Sequence, residues 1–230
     1  MDQNVILVET VPLEFDLESL GCRLRIRPGQ TKFMDRLSRL AEEAVRVARP
    51  KAVARLCGLT ILDEEKVQVG EVTFSSPLLR QKMNGLGRAF PYLASEGMEL
   101  ADWSLSLSSS LEQVFASALR EVAVQQAENL LERTLLERYG IAQVSAMNPG
   151  SLKVWSLEEQ VPLFELLAPL PEKLGVTLLP SLMMRPEYSV SGVFFQTDSK
   201  FYNCQLCPKK ECPNRRTPSL VTWEWDRRCC

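Results

Sequence analysis

The chain contains no histidine. This removes the commonest acid–base group near neutral pH and excludes a hydrolase built on a Ser-His-Asp or Cys-His set. It also leaves any all-protein soft-metal site to cysteine. No apolar run approaches the roughly 18 residues of a membrane-spanning helix, so a membrane role is not expected. A net charge of −2 gives no general attraction to nucleic acid or anionic lipid. The first residues, MDQNVILVETVPLEFD, lack the basic region and long apolar core of a signal peptide. The expectation is a cytoplasmic protein, in which thiols stay mostly reduced.

What is present is a globular composition, 45% hydrophobic and 24% charged over 230 residues. That is enough chain for one large or two small domains with a real core. Short Val- and Ile-rich runs read as strands: NVILVET, RLRIRPGQ ending in a Pro-Gly turn, KAVARLCGLTIL, KVQVGEVTF and GRAFPYLASEG. The Asp63–Glu65 run reads as a hairpin turn between two of them. TKFMDRLSRLAEEAVRVARP carries apolar residues at spacings of three and four, a helix capped by Thr31 and stopped by Pro50. SSPLLRQKMNG reads as a short helix with Ser76 as N-cap, Pro77 at the first helical position and Gly85 closing it.

The longest predicted helix starts at the serine run before Leu111, with Ser110 and Gln113 as a capping box, and ends at Tyr139-Gly140. Beyond it, LEEQVPLFELLAP predicts an amphipathic helix with Leu157, Val161, Phe164, Leu166 and Leu167 inward. GVTLLPSLMMRPEYSVSGVFFQT predicts two strands joined by a polar turn. Strands and helices alternate without βαβ regularity, so the expected class is α+β, an antiparallel sheet with flanking helices.

The order of these pieces over roughly residues 100–200 resembles the reactivation domain of cobalamin-dependent methionine synthase. The resemblance rests on the long Ala-rich helix, the Pro149-Gly150 loop, LEEQVPLFELL, a GVTL strand, and SLMMRPEYSVSGVFF. It implies a single α+β domain over residues 1–200 and an added Cys-rich tail over 201–230. It implies a shallow S-adenosylmethionine groove around Pro149, Gly150, Ser189, Ser191 and Gly192. It also implies a corrinoid-binding methyltransferase or methionine synthase as partner, with cobalamin reached only through that partner. The family's ligand loop reads R-x-x-x-G-Y. Here Ala146 stands where the arginine belongs and Ser151 where the tyrosine belongs. Alanine cannot supply a bidentate guanidinium, so the fold follows from the resemblance more firmly than the ligand. Read from the residues alone, Pro149-Gly150 is a turn before a helix and Gly192 a close approach within a packed strand.

Of the seven cysteines, Cys22 and Cys57 stand alone and read as core residues. The rest gather near the end. FYNCQLCPKKECPNRR spaces Cys204, Cys207 and Cys212 as C-x2-C-x4-C, and Cys229 or Cys230 follows to complete a four-thiolate set. Such a set suits an iron–sulfur cluster or structural zinc. Lys209, Lys210, Arg215 and Arg216 would offset its negative charge. The cluster is the favoured occupant because reactivation of Co(II) corrinoid needs a low-potential electron. The alternative is a non-catalytic corrinoid-protein binding or scaffold module with a zinc-held tail. No acid–base or nucleophile constellation marks the chain as an enzyme by itself.

Overall fold

The run RAFPYLAS, Arg88–Ser95, is buried at every position after its first, and the other elements are arranged around it. The structure, a computed structural model, describes residues 3–209, 212 and 216–220. In chain order the strands are β1 (Val5–Val8), β2 (Lys51–Arg55), β3 (Cys57–Ile61), β4 (Lys66–Val69), β5 (Val72–Ser75), β6 (Arg88–Ser95), β7 (Val144–Met147), β8 (Thr177–Leu178), β9 (Met184–Arg185) and β10 (Ser189–Gln196). The helices are α1 (Leu17–Arg23), α2 (Thr31–Val47), α3 (Pro77–Met83), α4 (Met98–Ser106), α5 (Ser110–Tyr139), α6 (Gln160–Leu167) and α7 (Leu170–Leu174). Every strand pair is antiparallel. The class is therefore α+β, an antiparallel sheet with flanking helices.

On one side β6 pairs with β10 along almost its full length, from Ser95↔Ser189 to Phe90↔Phe194. On the other side it is shared. Residues 92–95 pair with β2 and residues 88–89 with β3. The run KAVARLCGLTIL, expected as one strand, breaks at Leu56, whose N–H turns to the Asn4 carbonyl at 2.7 Å. Pro91 falls opposite this break, where a residue without an N–H removes no ladder partner on that side. The sheet forks there, with β1 beyond β2 and the β4–β5 hairpin beyond β3.

Two apolar layers follow from the strand alternation. Ala52, Ala54, Phe90, Tyr92, Ala94 and Phe194 face α5, meeting Ala127, Leu131 and Leu135. Val53, Leu93, Val193 and Phe195 face the opposite way, toward Leu163, Leu167 and Leu174 of α6 and α7. The first half of α5 buries Phe115 and Leu119 in a third cluster with Leu37, Leu40 and Ala44 of α2 and Leu100 of α4. One 30-residue helix thus serves both the sheet and the helical layer. It ends on Gly140 in the left-handed conformation, φ 60°.

Several expectations are corrected. RLRIRPGQ is not a strand. Its start is the last turn of α1, a helix capped by Asp16, whose side chain accepts from the Glu18 and Ser19 amides. Cys22 lies on that helix and is exposed, while Cys57 is buried as expected. The Ser110–Gln113 capping box does not form; Gln113 Nε2 donates instead to the Leu107 carbonyl. Leu157 and Val161 are exposed rather than inward. The α6 face that packs on the sheet is Leu163, Leu166 and Leu167, with Phe164 half-buried. Ser76 caps α3 as expected, accepting from the Leu79 amide at 3.1 Å. Among the described residues no helix is long and apolar enough to cross a membrane.

Candidate functional site

The C-terminal half of α5 and the end of the β7–β10 pair leave an open groove of about 220 Å³. Glu128 and Glu132 line it from α5. They stand one helical turn apart and so share a face. Ala146, Asn148 and Ser151 line it from β7 and the loop that follows, and Val190 and Phe194 from β10. The remaining wall is the segment after β10: Lys200 to Cys204, and Arg216.

A hydrogen-bonded chain runs through this wall. The Tyr92 hydroxyl donates to Glu128 Oε1 at 2.7 Å and accepts from Asn148 Nδ2 at 2.8 Å. Asn148 Nδ2 also donates to the Ser191 carbonyl at 2.9 Å. Asn148 Oδ1 accepts from Asn203 Nδ2 at 3.0 Å. Arg216 Nη2 stands 3.5 Å from Glu128 Oε2, and Lys200 pairs with Glu132. Tyr92 is fully buried, stacked on Phe194 with ring centroids 3.9 Å apart. Burial first, then the Glu128 charge, pushes its phenol well above the usual value of 10.0. Asn203 Oδ1 is buried with no partner among the described residues.

Gly192 explains how Asn148 fits. A Cβ there would stand 2.5 Å from the Met147 carbonyl oxygen, 2.6 Å from Asn148 Nδ2 and 2.9 Å from Tyr92 Cε1. The glycine of SVSG makes room for the asparagine that ties the sheet to the segment after β10. Gly150 takes φ +77°, and its N–H donates to the Trp155 carbonyl at 2.9 Å. Pro149 is buried beside it. Together they form a tight turn that sets Ser151 on the groove wall.

The expected ligand residues are therefore distributed unevenly. Pro149, Gly150 and Gly192 shape the groove from behind. Ser191 shares its strand face with Val193 and Phe195, turned from the groove by the strand alternation. Ser189 Oγ donates to the Pro186 carbonyl and bonds Ser95 Oγ. Neither lines the groove. The sequence did not point to Tyr92, Glu128, Glu132, Asn148 or Lys200, and it offered Arg216 only as a counter-charge to the cysteines, not as part of the groove wall. A signal was there for one pair: two glutamates at i, i+4 on an otherwise Ala- and Leu-rich helical stripe.

The cysteine segment starts against this site. The Phe201 N–H donates to Ser145 Oγ at 2.7 Å, and the Phe201 ring joins the core. A 3-10 turn, Asn203–Gln205, then carries Cys204 onto the groove wall. The Cys207 N–H donates to the Cys204 carbonyl at 3.4 Å. Cys207, just past that turn, packs against the core cluster on the other face of the sheet, whereas Cys204 lines the groove. The Ser219 hydroxyl donates to the Cys207 carbonyl at 3.1 Å, and the Leu220 N–H to the Gln205 carbonyl at 2.8 Å. Among the described residues no three or more Cys, Asp or Glu side chains stand together as a metal site. Cys229 and Cys230 lie outside the described residues. Cysteine ligands without imidazole would suit a cluster or zinc.

No family model matches the chain, and no curated protein matches it. Among solved structures it is similar to the crystal structure of the MetH reactivation domain bound to AdoHcy, with a TM-score of 0.59 and 17% sequence identity. The match covers 86% of this chain and 80% of that one. The chain has the fold of that reactivation domain.

Proposed function

We propose that the chain is an accessory protein of a corrinoid methyltransferase or methionine synthase, assisting return of the cobalt to its active state. In this reading the groove takes a ligand of the S-adenosylmethionine class. The neighbouring fold was crystallised with such a ligand, AdoHcy. The groove residues suit it: the carboxylates of Glu128 and Glu132 favour a sulfonium or ammonium and accept from ribose hydroxyls.

The observation that carries the proposal is the position of Cys204 on the wall of that groove. It would put a cysteine-held centre beside the ligand. Cys204, Cys207, Cys212 and one of Cys229 and Cys230 would hold it. An iron–sulfur cluster would supply electrons at potentials reaching about −700 mV. The chain's own residues position this segment: Ser145 holds Phe201, and Asn148 holds Asn203.

The test is metal and sulfide analysis of the chain purified without oxygen. Iron with acid-labile sulfide and a broad visible absorption, lost in Cys204→Ser, is the expected result. A colourless protein with one equivalent of zinc overturns the redox role. It favours the second reading, a binding or scaffold module, to which Ala146 and Ser151 already lend weight.

A further inference from the structure

The groove lacks an arginine where the resemblance asks for one. Ala146 lines it with a methyl group. Two cations stand on the same wall. Lys200 is closely paired with Glu132. Arg216 is held more loosely, 3.5 Å from Glu128 Oε2, beyond the roughly 2.7–2.9 Å of a tight charge-assisted bond.

We propose that Arg216, supplied by the cysteine-bearing segment, is the specificity-determining cation of this groove, and that it binds the carboxylate of a nucleoside ligand carrying an amino-acid chain. The inference rests on the reading of the groove as a site for the S-adenosylmethionine class. Three observations support it. Glu128 is fixed from below because its Oε1 accepts from Tyr92 at 2.7 Å, so its Oε2 offers Arg216 a steady anchor. One carboxylate oxygen engages only part of a guanidinium, which carries five N–H donors in a planar fork suited to a second carboxylate. The Arg216 side chain is 44% exposed, so its charge is kept at little desolvation cost and within reach of a ligand entering from solvent.

The segment's topology adds a consequence. Arg216 follows Cys212 by four residues and Cys204 by twelve. In this chain the groove's recognition charge and its Cys204 thiol belong to one stretch of chain, whereas Ala146, where the resemblance places the arginine, lies on β7.

Calorimetric titration of the full chain, purified without oxygen, tests the proposal with two probes. S-adenosylhomocysteine has the amino-acid carboxylate; methylthioadenosine shares the nucleoside and sulfur but lacks it. Arg216→Ala should weaken S-adenosylhomocysteine about 10-fold or more and leave methylthioadenosine within about twofold, with the circular dichroism spectrum unchanged. Arg216→Lys should fall between, since it keeps the charge and loses the fork. Equal weakening of both probes, or of neither, overturns the role of Arg216 while leaving the groove reading intact. Failure of the unmodified chain to bind either probe overturns the groove reading itself.

Discussion

Two buried carboxylates sit where α5 packs against β6 and the residue after it, and they are held in opposite ways. Glu96, just past β6, is fully enclosed and takes a bidentate pair from Arg120, Nε and Nη2 both at 2.7 Å. It also accepts from the Tyr188 amide at 3.2 Å. Glu128, eight residues along α5 from Arg120, meets Tyr92 of β6 on one side and the open groove on the other. The spacing is geometric. Eight helical residues rise about 12 Å and four strand residues, Tyr92 to Glu96, about 13 Å. The two elements run opposed and match at both contacts. The same helix–strand pairing is sealed at one end and left open at the other, and the open end faces Cys204.

The sharpest way to break the comparison is at the sealed end. Arg120→Ala should cost about 3–5 kcal/mol in urea unfolding, because Glu96 is left buried without its partner. The groove should still bind its probes in the fraction that remains folded. Burial already pushes Glu96 up, against the pull of Arg120.

Next comes the wedge behind the groove. Gly192→Ala should cost about 1–3 kcal/mol, since its Cβ meets backbone at 2.5 Å and displaces Asn148. Probe affinity should fall with it, measured by the same calorimetry. Unchanged affinity would show that Asn148 does not set the groove.

Tyr92→Phe should cost about 1–3 kcal/mol by leaving Glu128 Oε1 without its buried donor and taking one of two acceptors from Asn148 Nδ2. It has a pH signature too. The folded phenol is raised, so its contribution is fully present below the unfolded value of about 10 and is lost as the pH climbs through the folded value. Unfolding free energy measured from pH 8 to 11 should bend downward above about pH 10 in the unmodified chain and lose that bend in the variant.

The smallest stability effect is at the open rim. Arg216→Ala should change unfolding free energy by less than about 1 kcal/mol, because Arg216 is largely exposed and Glu128 keeps its Tyr92 donor, while changing ligand affinity most. Affinity and stability trade places between Arg120 and Arg216, and that contrast separates fold from function.

The sequence showed the fold where periodicity was local and strong. The long helix, its glycine stop and the fully apolar RAFPYLAS strand were legible because each declares itself within one element. The α1 helix was not, because its Val- and Ile-poor start hides behind the Asp16 cap while RLRIR mimics strand alternation. The split of KAVARLCGLTIL at Leu56 was hidden for a different reason: it is imposed by the Asn4 carbonyl fifty-two positions earlier. The groove was half legible. Its loop glycine and SVSG could be read, but Tyr92, Glu128 and Arg216 converge from three distant stretches, and only the folded chain brings them together.

In the proposed reading a cysteine-held centre and a ligand groove share the wall at Cys204. The most direct measurement is the electron paramagnetic resonance spectrum of the reduced, anaerobically purified chain before and after saturation with S-adenosylhomocysteine. A cluster signal whose g-values shift on ligand binding is the expected result. A chain with no cluster signal, or a signal unchanged when calorimetry shows the ligand bound, would contradict it.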